Sequence, residues 1–230
     1  DAAERRDLTM NSMAYNLKED RLEDPFHGLD DLRRGVLRAP NAQKFSEDPL
    51  RFWRVMQFMA RFGMKPDAEL NKLCKTIDIS SVSKESVGQE LKKWLLYAPK
   101  PSIALDWLDE IGRLAELFPE IACLKYVEQS PIYHPEGDVY EHTKQVLDAA
   151  AKLAYENDEE KLLIMLAALC HDLGKKEATH YKPDGSLTSK GHELYSAQHA
   201  RSMLGRYMVD KHLIDEVAKL VAMHMEPLSF

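Results

Sequence analysis

The sequence is poor in the features that mark secreted and membrane proteins. It has only three cysteines in 230 residues, and Cys74, Cys123 and Cys170 lie far apart among apolar residues. This spacing argues against a disulfide framework or a zinc knuckle and indicates reduced thiols in the cytoplasm. No apolar run reaches the length of a membrane span, and no signal-peptide pattern opens the sequence. We therefore expect a cytoplasmic protein that has no membrane partner.

The sequence also lacks an excess of basic residues. With 31 Lys and Arg against 38 Asp and Glu, its net charge is -7, which argues against a protein that binds nucleic acid over its whole surface. The charges are unevenly distributed. Residues 1–65 carry 12 basic and 11 acidic side chains, a balance of +1, and the remaining 19 and 27 give -8. We expect any polyanion to meet the N-terminal part of the chain.

The central positive feature is the apolar stretch 162–170, which runs directly into His171-Asp172. A helix that is apolar on every side is a buried one, and Gly174 is placed to end it. An adjacent histidine and aspartate offer a neutral nitrogen and an anionic oxygen side by side, which suits a divalent metal ion. The ordinary alternative is a buried pair that is satisfied by hydrogen bonds.

Further histidines lie on the apolar faces of three other predicted helices. His142 opens one apolar stripe, His224 closes another, and His192 and His199 are seven residues apart on a third helix. Burying so many polar rings is costly unless something binds them, and a shared ion is the economical explanation. Imidazole-rich sites favour Ni²⁺, Co²⁺, Zn²⁺ or Mn²⁺ over Ca²⁺. We predict that His142, His171, Asp172 and His192 bind one divalent ion. His224 would be a further ligand or a group that supports the ligands.

In their order along the chain, these residues resemble the HD-domain metallophosphohydrolases. The similarity runs roughly from Val139 to the C-terminus, and it rests on His142, His171-Asp172 with Leu-Gly-Lys, Gly191-His192-Glu193 and His224. It implies a helical domain that hydrolyses phosphate esters, with His171, Asp172 and Lys175 as catalytic residues. Lys175 would hold the substrate phosphate, although a cation at the end of a helix is an equally good interpretation.

One element of the HD pattern has no assigned residue in this sequence. HD domains usually have a further aspartate on a later helix, which completes the set of metal ligands. Glu226 is close to His224, but it immediately precedes Pro227. We therefore expect the HD domain to be incomplete at its C-terminal side.

Charged residues recur at short spacings near the N-terminus. Arg5-Arg6-Asp7 precedes Asn11, and a helix predicted over 46–63 carries Asp48, Arg51 and Arg54 at intervals of three. Guanidinium groups match phosphate oxygens, and a carboxylate beside a guanidinium can hydrogen-bond the edge of a base. From spacing alone, weak surface ion pairs remain the better interpretation. Because Arg51 lies off the apolar stripe, we expect its replacement to change folding little.

Together these segments resemble the bacterial tRNA nucleotidyltransferases, the enzymes that build or repair the CCA end of tRNA. Arg5-Arg6-Asp7 with Asn11 matches the RRD motif of that family. Asp24-Pro25 with Gly28 and Asp31-Leu32 matches its DPxxGxxDL segment, and residues 47–51 match its EDxxR motif. Three motifs in this order are highly specific.

The resemblance implies that CTP and ATP donate nucleotides to tRNA with the help of Mg²⁺. The EDxxR motif pairs with the incoming base in that family. The nucleotide-binding residues implied here are Arg6, Asp7, Asn11, Asp48, Arg51 and Arg54.

The sequence departs from the nucleotidyltransferase pattern at two points. The Asp-x-Asp pair that holds the metals of nucleotidyl transfer is absent. We therefore expect those carboxylates to lie upstream of this chain, and the chain alone to add no nucleotides. Gln57 stands where the family usually has an arginine that contacts the triphosphate, which should weaken that contact.

We predict a mainly α protein with three parts. Residues 1–40 form the C-terminal part of an α/β nucleotidyltransferase palm domain, 41–128 a helical nucleotide-recognition and neck region, and 129–230 a helical HD domain. The Pro- and Gly-rich stretch 129–137 marks the last boundary. His134 within it could line the mouth of a cleft, but an ordinary loop residue is the better prediction. Two other interpretations stay open. One is an HD hydrolase whose N-terminal region senses nucleotide or RNA, and the other is a non-enzymatic RNA-binding module with a structural metal.

Overall fold

The computed structural model describes residues 2–226, and most of them lie in helices. The chain divides into two compact units, the first ending at Trp94 and the second beginning at Leu95. The helices are α1 Gly28–Arg34, α2 Ala42–Ser46, α3 Leu50–Phe62, α4 Ala68–Thr76, α5 Lys84–Tyr97, α6 Ser102–Glu110, α7 Leu114–Leu117, α8 Pro119–Ala122, α9 Val139–Ala150, α10 Asp158–Cys170, α11 Lys175–Ala178, α12 His192–Tyr207 and α13 Lys211–Met223. The strands are β1 Ala14–Asn16, β2 Arg21–Glu23, β3 Val36–Leu37, β4 Lys65–Pro66, β5 His180–Tyr181 and β6 Leu187–Thr188.

The first unit begins with a short 3₁₀ helix, Thr9–Asn11, followed by the antiparallel hairpin of β1 and β2. Asn16 shapes the turn of this hairpin, because its Oδ1 accepts hydrogen bonds from the backbone N–H groups of Lys18 and Glu19. The RRD motif is therefore followed by a single 3₁₀ turn and then by extended strands.

The DPxxGxxDL segment starts α1 through its aspartate and its glycine. The carboxylate of Asp24 accepts hydrogen bonds from the N–H groups of Gly28 and Leu29, at 2.6 and 2.9 Å. A Cβ atom at Gly28 would lie 2.2 Å from the carbonyl oxygen of Thr9, so only glycine lets α1 approach the 3₁₀ helix this closely. Gly35 ends α1 with a φ of 67°, and β3 then pairs in parallel with β4.

The predicted helix over 46–63 is two helices. Ser46 is the last residue of α2, and its hydroxyl donates a hydrogen bond to the carbonyl of Ala42. α3 begins at Leu50, directly after Pro49, and ends as predicted at Gly63, which has a φ of 64°. Trp53, Met56 and Ala60 are buried on its core face.

The second unit is a helical bundle. Asp138, Asn157 and Asp210 cap the N-termini of α9, α10 and α13 by accepting hydrogen bonds from backbone N–H groups in the first turns. α10 packs against α9, α12 and α13, and α12 also packs against α13. This arrangement brings the C-terminal ends of α10 and α13 to the N-terminal end of α12.

Within residues 2–226, no helix is both long enough and apolar enough to cross a membrane.

Candidate metal centre and nucleotide-binding segment

Gly174 lets two backbones meet at the centre of the second unit. α10 ends at Cys170, earlier than predicted, and residues 171–174 form a turn before α11. A Cβ atom at Gly174 would lie 2.5 Å from the carbonyl oxygen of His192 and 2.5 Å from the nitrogen of Ser196. The N–H of Gly174 donates to the hydroxyl of Ser196 at 2.8 Å. The glycine therefore brings the start of α12 against the turn that carries His171 and Asp172, instead of ending α10.

The structure gathers the four histidines predicted as metal ligands around the fifth predicted ligand, Asp172. Its Oδ2 atom lies 3.2 Å from Nε2 of His171 and 3.6 Å from Nε2 of His142. Its Oδ1 atom lies 3.1 Å from Nε2 of His192 and 3.9 Å from Nε2 of His224. One buried carboxylate thus presents an oxygen to each of two histidine pairs, and each pair with Asp172 forms a group of three potential metal ligands.

The other ring nitrogens determine the tautomers of these histidines. The Nδ1 atoms of His171, His192 and His224 lie 2.8, 2.8 and 2.6 Å from the backbone carbonyl oxygens of Ala168, Ser189 and Val221. Nδ1 of His142 lies 2.6 Å from a carboxylate oxygen of Glu136. Because carbonyl and ionised carboxylate oxygens only accept, every Nδ1 carries the proton and donates it. Each neutral ring then directs the lone pair of Nε2 towards the centre of the cluster.

This arrangement fits a bound cation. The Nε2 atoms of His192 and His224 are 3.1 Å apart, so two lone pairs face each other when both rings are neutral with the proton on Nδ1. Oδ2 of Asp172 is buried and lies 2.8 Å from Nζ of Lys175, but it accepts no hydrogen bond of acceptable geometry from residues 2–226. Electron pairs that converge in a buried space are unfavourable unless a positive charge lies among them. Imidazole nitrogens with a carboxylate form the donor set that divalent transition metals prefer.

The pKa shifts keep these groups in their metal-binding forms. Burial lowers the pKa of His142 and of His224, so both rings are neutral at physiological pH. Burial acts in the opposite sense on Asp172, but the charged form of His171, hydrogen bonds from His171 and His192 in that form, and the charge of Lys175 outweigh it and hold the pKa of this carboxyl well below its usual range. Metal ligands must be deprotonated, and around neutral pH these already are.

Lys175 lies inside the cluster rather than on the surface. Its Nζ atom is 2.8 Å from Oδ2 of Asp172 and donates a hydrogen bond of 2.8 Å to Oε1 of Gln129. The side chain is buried at the start of α11. It therefore offsets the charge of Asp172 and remains close enough to act on a ligand of the cluster.

Two residues at the site were not identified from the sequence. His134 was predicted to be an ordinary loop residue, but its ring packs edge-on against that of His142, with centroids 4.8 Å apart. Glu136 bonds to both rings. The only sequence signal was their place in a loop that leads into the helix of His142. His199, by contrast, lies outside the cluster and pairs with Glu177 at 2.8 Å.

An apolar groove opens beside the cluster. Its volume is about 420 Å³, and its lining combines small and branched side chains of three helices with His171 and His224. Leu153, which follows α9, also lines this groove. The apolar lining residues are Val146, Ala149, Ala150, Leu153, Ile164, Ala167, Ala168, Leu220 and Val221.

In the first unit, the structure brings the RRD and EDxxR motifs together. Nε of Arg54 lies 2.6 Å from Oδ2 of Asp7, and Oδ1 of the same carboxylate accepts a 3.0 Å hydrogen bond from Nδ2 of Asn11. Arg6 is exposed beside them. The pairing connects the start of the unit to α3 and keeps Asp7 buried.

Arg51 makes contacts that its spacing did not predict. Its guanidinium donates to the carbonyl oxygen of Lys44 at 2.6 Å and also to the carbonyl oxygen of Arg5. The side chain is only 13% exposed, and its Nε lies 3.7 Å from Oδ2 of Asp48. Arg51 therefore connects α3 to two preceding segments of the first unit. These contacts indicate a role in folding, in contrast to the expectation from its position off the apolar stripe.

Gln57 is buried between α3 and α5. Its side-chain nitrogen donates to Glu90 at 3.1 Å, and its side-chain oxygen accepts from Arg61 at 3.0 Å. The Glu90 carboxylate is also paired with Lys93 at 2.8 Å. A neutral amide thus occupies the position where we expected a contact with triphosphate, and its polar atoms are used within the protein.

Comparison with known proteins finds two matching families. Residues 139–229 match the family described as HD domain, and residues 1–38 match the poly A polymerase head domain. A multifunctional CCA protein of Pasteurella multocida (strain Pm70) is 36% identical over 94% of this chain, which spans 51% of that relative. A multifunctional CCA protein of Laribacter hongkongensis (strain HLHK9) is 40% identical over 74% of this chain and 41% of its own length.

Solved structures share the fold at lower identity. A Thermotoga maritima CCA-adding enzyme, complexed with tRNA, aligns with 99% of this chain and 49% of its own chain, with a TM-score of 0.59 and 21% identity. A CCA-adding enzyme in complex with ATP aligns with 99% of this chain and 47% of its own, with a TM-score of 0.58 and 20% identity. The chain therefore spans about half the length of the relatives it matches.

Proposed function

The chain belongs to the family of the bacterial tRNA nucleotidyltransferases that includes the multifunctional CCA proteins, and we propose that it takes part in two reactions. The first is transfer of nucleotides from CTP and ATP to the 3' end of tRNA, with Mg²⁺ as cofactor. The second is metal-dependent hydrolysis of phosphate esters of RNA ends or nucleotides at the cluster around Asp172. The reduced cysteines support a cytoplasmic location.

The convergence of His142, His171, His192 and His224 on Asp172 carries the proposal of hydrolysis. Four Nε2 lone pairs and a buried carboxylate form a ligand set for Ni²⁺, Mn²⁺ or Co²⁺. A divalent ion bound there would supply Lewis acidity to a phosphate ester and lower the pKa of coordinated water. His171 and Asp172 hold the ion in this proposal. The ammonium of Lys175, within 2.8 Å of Asp172, stabilises negative charge on the substrate phosphate.

The pairing of the RRD and EDxxR motifs supports the proposal of nucleotidyl transfer. Asp7, held by Arg54 and Asn11, fixes the start of the unit against α3. Asp48 and Arg51 lie together at the start of that helix. The exposed carboxylate of Asp48 can meet the Watson–Crick edge of an incoming base, and the guanidinium of Arg51 can do so once it is released from the carbonyl oxygens of Lys44 and Arg5. Arg6 remains exposed for a phosphate. Fold neighbours solved with ATP, with CTP and with tRNA agree with these ligands.

The proposal of hydrolysis is tested by metal content and activity measured on the same samples. Wild-type protein and Asp172→Ala are incubated with excess Ni²⁺, Mn²⁺ or Co²⁺, desalted and analysed for metal, then assayed with a 2',3'-cyclic nucleotide and a phosphatase substrate. We expect the wild type to bind metal and hydrolyse a test substrate, and Asp172→Ala to do neither. Asp184→Ala, at an exposed turn, is the matched control.

Each other outcome has a definite meaning. Wild-type protein that binds no metal would refute the HD proposal, and metal without hydrolysis would assign the ion a structural role. The metal count per chain distinguishes one shared ion from two ions bridged by Asp172. Incorporation of labelled CMP and AMP into tRNA by the full-length protein tests nucleotidyl transfer, and this activity should survive Asp172→Ala.

A further inference from the structure

One of the four clustered histidines differs from the others in its Nδ1 partner. His171, His192 and His224 donate to neutral backbone carbonyls, whereas His142 donates to the Glu136 carboxylate at 2.6 Å. The Glu136 side chain is 15% exposed. A charged acceptor gives a shorter and stronger hydrogen bond than a neutral one.

Glu136 is the shared acceptor of two imidazole N–H groups. Its Oε1 atom lies 2.6 Å from Nδ1 of His142 and 3.0 Å from Nδ1 of His134. As a carboxylate it can only accept hydrogen bonds, so the nearby Nδ1 of His142 must carry a proton. Without the Glu136 carboxylate, the His142 proton could instead lie on Nε2, where Oδ2 of Asp172 at 3.6 Å would be its acceptor.

His134 holds this carboxylate in place. Its Nδ1 donates to the same oxygen, Oε1 of Glu136, at 3.0 Å, and its ring packs edge-on against that of His142. One carboxylate oxygen therefore receives two imidazole N–H groups, and the edge-on packing of the rings limits rotation of both side chains.

We propose that Glu136, oriented by His134, is a positioning residue for metal binding: it fixes the Nδ1–H tautomer of His142 and raises the basicity of the Nε2 atom that faces the cluster. A carboxylate behind a ligating imidazole orients the ring and raises its basicity. The effect on metal affinity rests on the proposed metal site, whereas the effect on the tautomer is a property of the metal-free protein and stands independently of it.

The first measurement is made on metal-free protein. Long-range ¹H–¹⁵N spectra of protein labelled at its histidines report which ring nitrogen of His142 carries the proton. We expect Nδ1–H in the wild type and in Glu136→Gln, which keeps an acceptor oxygen, and a shift towards Nε2–H in Glu136→Ala. Unchanged Nδ1–H in Glu136→Ala would overturn the proposal.

The second measurement is titration of the same variants with Ni²⁺. Loss of partners behind metal ligands typically weakens binding about 10- to 100-fold, and we expect Glu136→Ala to fall in this range, with Glu136→Gln between it and the wild type. The control is Glu141→Gln, on the exposed side of α9 where Glu141 pairs with Lys144, which should leave affinity unchanged.

The outcomes separate the two proposals. If Ni²⁺ affinity in Glu136→Ala equals that of the wild type, Glu136 does not position a ligand. If the wild type binds no Ni²⁺, the proposed metal site is refuted, and the spectra of the metal-free protein decide the tautomer claim. Unfolding of metal-free Glu136→Gln near that of the wild type shows that a change in affinity is not a folding defect.

Discussion

The Nζ atom of Lys175 lies 2.8 Å from Oδ2 of Asp172, and both side chains are buried. They sit on either side of Gly174, in the turn that joins α10 to α11. The lysine is the nearest cation to a carboxylate that is otherwise surrounded by imidazole lone pairs. In the metal-free protein it therefore offsets much of the buried negative charge.

Replacement of Lys175 should destabilise the metal-free protein strongly. Removing one member of a buried ion pair leaves the other charge uncompensated, which costs about 3–5 kcal/mol, and we expect Lys175→Met to approach this range. Ni²⁺ should restore part of the loss, because a bound cation offsets the charge of Asp172. Urea unfolding with and without Ni²⁺ measures both effects. Lys219→Met, which removes an exposed pair with Glu216, should change little, and equal effects of the two variants would contradict this account.

Gly174→Ala should disrupt the approach of α12. Its Cβ atom would lie 2.5 Å from backbone atoms of His192 and Ser196, which cannot give way as a side chain tip can. Overpacking of this kind costs about 1–3 kcal/mol, and it should also lower Ni²⁺ affinity by displacing His192. Gly205 lies in α12, and a Cβ atom added there would meet no atom within 4 Å beyond its chain neighbours and the backbone of its own helix. Gly205→Ala should therefore stabilise the protein by about 0.5–1 kcal/mol. Thermal unfolding and Ni²⁺ titration of the two variants test this contrast.

Arg51→Ala should destabilise the first unit, contrary to the expectation from spacing. The guanidinium bonds to two backbone carbonyls, and hydrogen bonds to charged groups contribute about 1.5–3 kcal/mol each. We expect a loss of about 2–4 kcal/mol, with little rescue in Arg51→Lys because an ammonium lacks the forked geometry. Arg34→Ala, which removes an exposed i,i+4 pair with Asp30, is the control. Denaturant unfolding in which the two alanine variants match would show that the buried contacts of Arg51 contribute little.

The metal-free protein should lose stability as the pH falls below neutrality. Burial lowers the pKa of His142 and His224 from the ordinary 6.5, so the unfolded chain takes up protons at these rings before the folded protein does. Stability then rises with pH wherever the unfolded state binds more protons, and it declines as the pH falls through about 6.5. Urea unfolding at about pH 7.5 and about pH 6 tests this, since carboxylates remain ionised in both states over that window.

The histidine origin of this dependence can be checked directly. His142→Asn and His224→Asn remove the rings that titrate, so the double variant should show a flatter dependence of unfolding free energy on pH. Equal or greater stability of the wild type at the lower pH would contradict the argument. Ni²⁺ binding should weaken over the same range, because protons compete for the Nε2 atoms.

The sequence by itself identified the residues of the candidate metal site. His142, His171, Asp172, His192 and His224 were all identified from apolar periodicity and the HD pattern, and the structure brings all five together. Periodicity succeeded because it reports which face of each helix is buried, and a histidine on that face needs a partner. The three nucleotidyltransferase motifs were likewise readable, because they are short and local.

Tertiary structure alone decided what these residues contact. Glu136 and His134 lie in an irregular loop whose path no periodicity specifies, so their approach to His142 became visible only in the fold. Arg51 was judged by its helical face, yet its partners come from segments packed at the start of α3. Gly174 reads in sequence as a helix stop, but the close passage of α12 is the reason for a glycine there. Local patterns specify which face is buried, whereas the group that meets that face is set by packing between elements distant in sequence.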